Sequence, residues 1–211
     1  MVIFLYTIGN DVENNLKIKN SNFITYLFYI NSINDILLNI KRIKELHPKA
    51  THHCYAYVLG NICKYSDDGE PSSTAGAPIM NVLKKNNLDN VLAIVVRYFG
   101  GIKLGASGLV RAYTLSITEA LLKTDLVLVV SGVKIKVKLD YKNISNFEYL
   151  IRDYNIISKV FDDEIYYTVV IEKDNLEILS NYKYEILEYV NIKKKVWFDV
   201  VNEKQTVKRI I

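Results

Sequence analysis

Four glycines and three cations crowd into VVRYFGGIKLGASGLVRAY, residues 95–113. A β-rich run passes there into a helical one, and Gly100, Gly101, Gly105 and Gly108 let the backbone approach another group closely. Free N–H groups and the helix dipole at such a junction favour an anion. Arg97, Lys103 and Arg111 add positive charge around it. The spacing is neither a Walker loop nor the Rossmann GxGxxG, so it names no nucleotide. Anion, phosphate or polyanion binding is one use of this segment. A tight turn with close helix-on-sheet packing is the other. Either use puts Gly101 and Gly105 at angles or contacts that a Cβ cannot share.

A second cluster is SDDGEPSSTAGAP, residues 66–78. Asp67, Asp68 and Glu70 could hold a hard cation through oxygen ligands, although the later Glu of a calcium loop is missing. They could equally pair with Arg97 or Arg111, serve as a contact surface, or stay solvated. His52-His53-Cys54 invites a metal or nucleophile reading. On a strand, however, His52 and Cys54 share one face and His53 points to the other. Cys63 does not complete a tetrahedral set, so core or hydrogen-bonding roles are favoured. His53, beside the acidic loop, is the residual functional candidate. No Gx[ST]xG, HExxH or CxxC motif occurs. No catalytic residue, metal site or cofactor is therefore expected.

The elements around these clusters read simply. FITYLFY (23–29) is a strand. NSINDILLNIKRIKEL sets Ile33, Ile36, Leu37, Ile40, Ile43 and Leu46 at helical spacing, behind a Ser32/Asp35 cap. HHCYAYVLG is a strand closed by Gly60, and KYSDDGEPSSTAGAP is a loop. A short helix covers Gly76 to Lys85, VLAIVVRYF is a buried strand, and the next helix carries Leu109, Tyr113, Ile117 and Leu121 on one face. The texture changes after Leu128. VKIKVKL alternates, with Val133, Ile135, Val137 and Leu139 on one face and three lysines on the other. A helix near Phe147–Tyr154, two strands around an acidic turn, a helix near Leu176–Tyr184 and a strand near Ile192–Val200 complete a ferredoxin-like βαββαβ order. The expectation is an α+β chain of two domains, 1–130 and 133–211, with Ser131-Gly132 at the boundary.

Composition bounds the function. With 211 residues, 50% hydrophobic, the chain can bury a core without metals or disulfides. Two cysteines suit a reducing cytoplasm. No uncharged apolar run reaches the ~18 residues of a membrane span, and MVIFLYTIG lacks the basic start of a signal peptide. Net charge is +4, from 27 basic and 23 acidic residues. That balance permits a polyanion partner without demanding one.

SNFI (21–24), HPKATHHCYAYV (47–58), SDDGEPSSTAGAP and VVRYFGGIKLGASGLVRAY together resemble the bacterial YigZ/IMPACT family, in the family's order. The resemblance implies an N-terminal domain with the fold shared by the second domain of a small-subunit ribosomal protein and the GHMP kinases. It implies a C-terminal domain similar to the fifth domain of elongation factor G. In eukaryotic relatives the N-terminal module acts in translation control, competing for the activator of a starvation-responsive initiation-factor kinase. Here it implies a regulator that binds RNA, the ribosome or a translation-associated protein. The alternatives are a phosphate-ligand enzyme using loop 100–108, with Asp67, Asp68, Glu70 or His53 for chemistry, and a pure protein-interaction module. Two departures stand out: Asn20 and Asn22 replace the family's common Lys and Arg, and Ala106-Ser107 follows Gly105.

Overall fold

The run VLAIVVRY becomes β6 (Val91–Tyr98), whose β-branched and aliphatic side chains are buried on both faces. A strand with two apolar faces belongs in the middle of a sheet. The computed structural model, which describes residues 6–194, puts it there. The first sheet has the order β2-β3-β6-β4-β5, all antiparallel, with β2 (Val12–Ile18), β3 (Ser21–Tyr29), β4 (His52–Leu59) and β5 (Ile62–Ser66). Helices α2 (Gly76–Lys85) and α3 (Ala106–Leu121) cover one face, over Phe23, Leu27, Ala56, Ala93 and Val95. Helix α1 (Ile33–Leu46) covers the other, over Tyr26, Phe28, Leu92 and Ile94. β1 (Tyr6–Ile8) pairs with Leu126–Leu128, the start of β7 (Leu126–Leu139).

Local signals explain most element ends. The Ser32 side chain accepts from Asp35 N, and Asp35 accepts from Ser32 N, which closes a capping box at the start of α1. Three strands were not expected, the three-residue β1 among them. β2 is VENNLKI, whose alternation is masked by Asn14, a polar residue on the buried side. β5 starts at Ile62 and runs into the segment read as loop, because Gly60-Asn61 turns the chain back onto β4. The α1 stripe is also narrower than its spacing suggests. Ile36 and Ile43 are buried, whereas Ile33, Leu37 and Leu46 stay exposed.

The chain divides into two compact units between Leu128 and Val129, and the second runs Val129–Lys193. Ser131 and Gly132 lie inside β7 and not in a loop. In the second unit β7 pairs with β9 (Ile165–Glu172), β9 with β8 (Asn155–Phe161), and β10 (Lys183–Lys194) with β7. Val133, Ile135, Val137 and Leu139 bury one face against Phe147, in the middle of α4 (Ile144–Leu150), and Ile151, just past its end. Three boundaries differ from expectation. α4 ends before Tyr154, the second helix is a 3₁₀ segment (Lys173–Leu179), and the last strand begins at Lys183. Residues 195–200 of the expected last strand lie outside the described residues. Among the described residues no helix is long and apolar enough to cross a membrane.

Candidate functional site: the loop after β6 and its buried anchor

Strand alternation turns Arg97 toward the α2/α3 face, with Val91, Ala93 and Val95. The guanidinium is therefore interior, only 4% exposed. Its Nη1 donates to Glu70 Oε1 at 2.6 Å, and Nη2 donates to Ser21 Oγ at 3.4 Å. The Tyr113 hydroxyl, from α3, donates to the same Glu70 oxygen at 2.8 Å. Of the uses open to the acidic loop, Glu70 takes the ion pair with Arg97. That corrects the expectation for Arg97: it is a buried, paired charge and not part of a surface cationic cluster with Lys103 and Arg111.

The other loop carboxylates are occupied by backbone. Asp67 Oδ1 accepts from Ala75 N (2.9 Å) and Gly76 N (2.8 Å), and Oδ2 accepts from Ser73 N (2.8 Å). Helix α2 has no side-chain cap of its own, so Asp67 satisfies its free N–H groups from outside. Asp68 Oδ2 accepts from His53 N at 2.7 Å, and Lys44 Nζ lies 3.5 Å from Oδ1. Among the described residues no group of three or more His, Cys, Asp and Glu is placed to hold a metal ion.

The histidines are tied in as well. His52 Nδ1 donates to the Asp68 carbonyl at 2.8 Å, leaving Nε2 3.9 Å from Glu70 Oε2. His53 Nε2 donates to the His47 carbonyl at 3.1 Å, and burial pushes its imidazole down against the opposing pull of Asp68. His47 itself bridges the hydroxyls of Tyr26 (2.8 Å) and Tyr98 (3.0 Å). The Cys54 thiol donates to the Asp67 carbonyl at 3.0 Å, and burial pushes it up to about 12. A thiol so disfavoured as thiolate is a poor nucleophile.

The outer surface of this anchor is the glycine loop. Phe99 N donates to Thr51 Oγ1 at 3.0 Å and Gly100 N to Ser21 Oγ at 3.3 Å, so the loop is pinned on both sides. Gly101 (φ +85°) and Gly105 (φ +72°) occupy the left-handed region, and Gly105 opens α3. Gly100 is closed in another way: a Cβ there would fall 2.1 Å from the Asn20 carbonyl. The β2–β3 turn, Lys19 (φ +43°) and Asn20 (φ +64°), therefore sits directly against the loop. Asn accepts such angles readily, a use for Asn20 that the sequence reading did not see.

Lys17 and Lys19, before and within that turn, Lys103 in the loop and Arg111 in the second turn of α3 are all exposed. Among the described residues none of the four takes part in an ion pair. Residues 14–34 and 90–118 contain no Asp or Glu. Lys17, Lys19 and Phe99 were not singled out from sequence. The hairpin alternation of β2 and β3 about Lys19-Asn20 is the signal that could have placed the two lysines.

Residues 19–121 match the Impact N-terminal domain. The chain is 37% identical over 172 residues to an IMPACT family member of Haemophilus influenzae, covering 78% of this chain and 84% of that one. This chain belongs to the IMPACT family. It is also 47% identical over 119 residues to the IMPACT family member YvyE of Bacillus subtilis, a match spanning 55% of each protein. A crystal structure titled only as that of a hypothetical protein superposes with a TM-score of 0.64 at 26% identity, covering 89% of this chain and 99% of that one. Within this IMPACT chain the matched span holds Ser21, His52, Cys54, Glu70, Arg97 and Tyr113, the whole buried anchor.

Proposed function

We propose that this protein is a non-enzymatic, translation-linked regulator that binds RNA through the face formed by the β2–β3 turn and the loop after β6. The observation that carries the reading is the seating of the Lys19–Asn20 turn on Gly100. It sets the turn that carries Lys19 against the loop that carries Lys103, and cations left without ion-pair partners attract a polyanion. Membership of the IMPACT family supports the translation link. The buried network supports a structural use for Glu70, Arg97 and Tyr113, because each is engaged with another member.

Binding of a labelled RNA measured across salt concentrations tests this. Affinity should fall steeply with salt, by ~0.7 log units per log unit of salt for each phosphate contacted on a single strand. The double variant Lys19→Gln, Lys103→Gln should flatten that slope by roughly one to two units and weaken all sequences alike. Equal binding by wild type and variant at ~50 mM salt would remove the RNA reading.

We also propose that the two units are separate folding domains, the first related to the second domain of a small-subunit ribosomal protein and the second ferredoxin-like. The order β10-β7-β9-β8 supports the latter, and each unit has its own buried cluster. Fragments 1–130 and 133–211 should each unfold cooperatively in urea. Two broad, non-cooperative transitions would show that the units depend on each other.

A further inference from the structure

We infer that Phe99 is a stacking platform for an unpaired base, which makes single-stranded RNA, rather than duplex, the ligand of the face described above; the inference rests on that reading. Phe99 stands at the outer end of β6, where the Arg97 guanidinium carbon lies 5.5 Å from its ring centroid. That guanidinium is in turn 5.4 Å from the Phe23 ring and fixed by Glu70. One side of the Phe99 ring is thus backed by an immobile, positively charged plane. Even so, Phe99 leaves 45% of its surface to solvent.

An exposed aromatic ring is usually free to move. This one has its backbone N–H held by Thr51, while the next residue is held by Ser21 and the β2–β3 turn. Ordering a side chain ahead of binding removes an entropic cost from the binding step. A solvent-facing ring on an anchored backbone, next to a loop and a turn that carry unpaired lysines, is the arrangement single-stranded nucleic acids use: cations follow the phosphates and the ring takes a base. A duplex offers phosphates to Lys19 and Lys103, but its bases are already stacked. The arginine behind the ring adds a cation–π contact that keeps the ring in place.

The test compares an oligo(U) strand with an RNA duplex of equal phosphate number, against wild type, Phe99→Leu and Phe99→Trp. Wild type should prefer the strand, and Phe99→Leu should lose at least about fivefold in strand affinity while leaving duplex binding unchanged, since base–aromatic stacking is worth roughly that or more. Phe99→Trp, which keeps a flat π-face, should retain the preference, and this guards against a Leu variant that merely packs badly. Equal binding of strand and duplex by wild type, or an unchanged Phe99→Leu, overturns the platform while leaving the cationic face standing. Failure of wild type to bind either RNA overturns both.

Discussion

Glu70→Ala should lower the stability of the protein by about 3–5 kcal/mol, the usual result of removing one partner from a buried ion pair. Both side chains are interior, with Arg97 4% and Glu70 8% exposed, so water cannot screen what remains. The loss strands more than one group. Arg97 keeps one long side-chain hydrogen bond, to Ser21, beside the Phe23 and Phe99 rings, its Nε already lacks an acceptor among the described residues, and the Tyr113 hydroxyl loses its carboxylate. Burial and the neighbouring Cys54, both of which outlast the substitution, push the Tyr113 phenol up, so it stays a donor and cannot neutralise the stranded cation. Urea denaturation should show a lower midpoint at unchanged slope. The double variant Glu70→Leu, Arg97→Met should recover much of the loss, because a volume-matched apolar pair leaves no uncompensated charge. A Glu70→Ala cost under about 1 kcal/mol would mean that water reaches Arg97 and that the anchor is not sealed.

Much of this arrangement was legible before any coordinates. The capping box at Ser32, the helix limits at Gly76 and Lys85, and the core face of α3 follow from local rules that a short window contains. The alternation of VKIKVKL likewise fixes which face of β7 is buried. The glycine segment could be located but not interpreted, because its chemistry depends on which way Arg97 points. That direction is set by pairing Arg97 with His52 and Phe23 in the sheet, a relation between residues far apart in the chain. β2 escaped for a related reason. Its buried positions include Asn14 and its partners lie across a two-residue turn, so no apolar rhythm marks it. Lys17 and Lys19 do not stand out in the sequence, because only the turn brings that segment to the loop.

The same turn gives the second large expected effect. Gly100→Ala should destabilise the protein by about 3 kcal/mol or more, toward the upper end of overpacking costs. The added Cβ would meet the Asn20 carbonyl carbon and oxygen at 2.1 Å and Ser21 N at 2.6 Å. These are backbone atoms, so no side-chain rotation relieves the clash. Gly101→Ala makes the natural contrast: nothing lies within 4 Å of its Cβ position, but its φ is +85°. That variant has room and carries only conformational strain, about 1 kcal/mol. Thermal unfolding of the two variants therefore separates close approach from backbone angle at adjacent residues. The binding consequence should follow the same order. Pushing the Lys19–Asn20 turn away from the loop parts Lys19 from Lys103, so Gly100→Ala should reduce the salt slope of RNA binding at temperatures where it is still folded. Gly101→Ala should leave that slope nearly intact. A Gly101→Ala variant that is the less stable of the two would show that the loop's own angles, and not its contact with the β2–β3 turn, hold this face together.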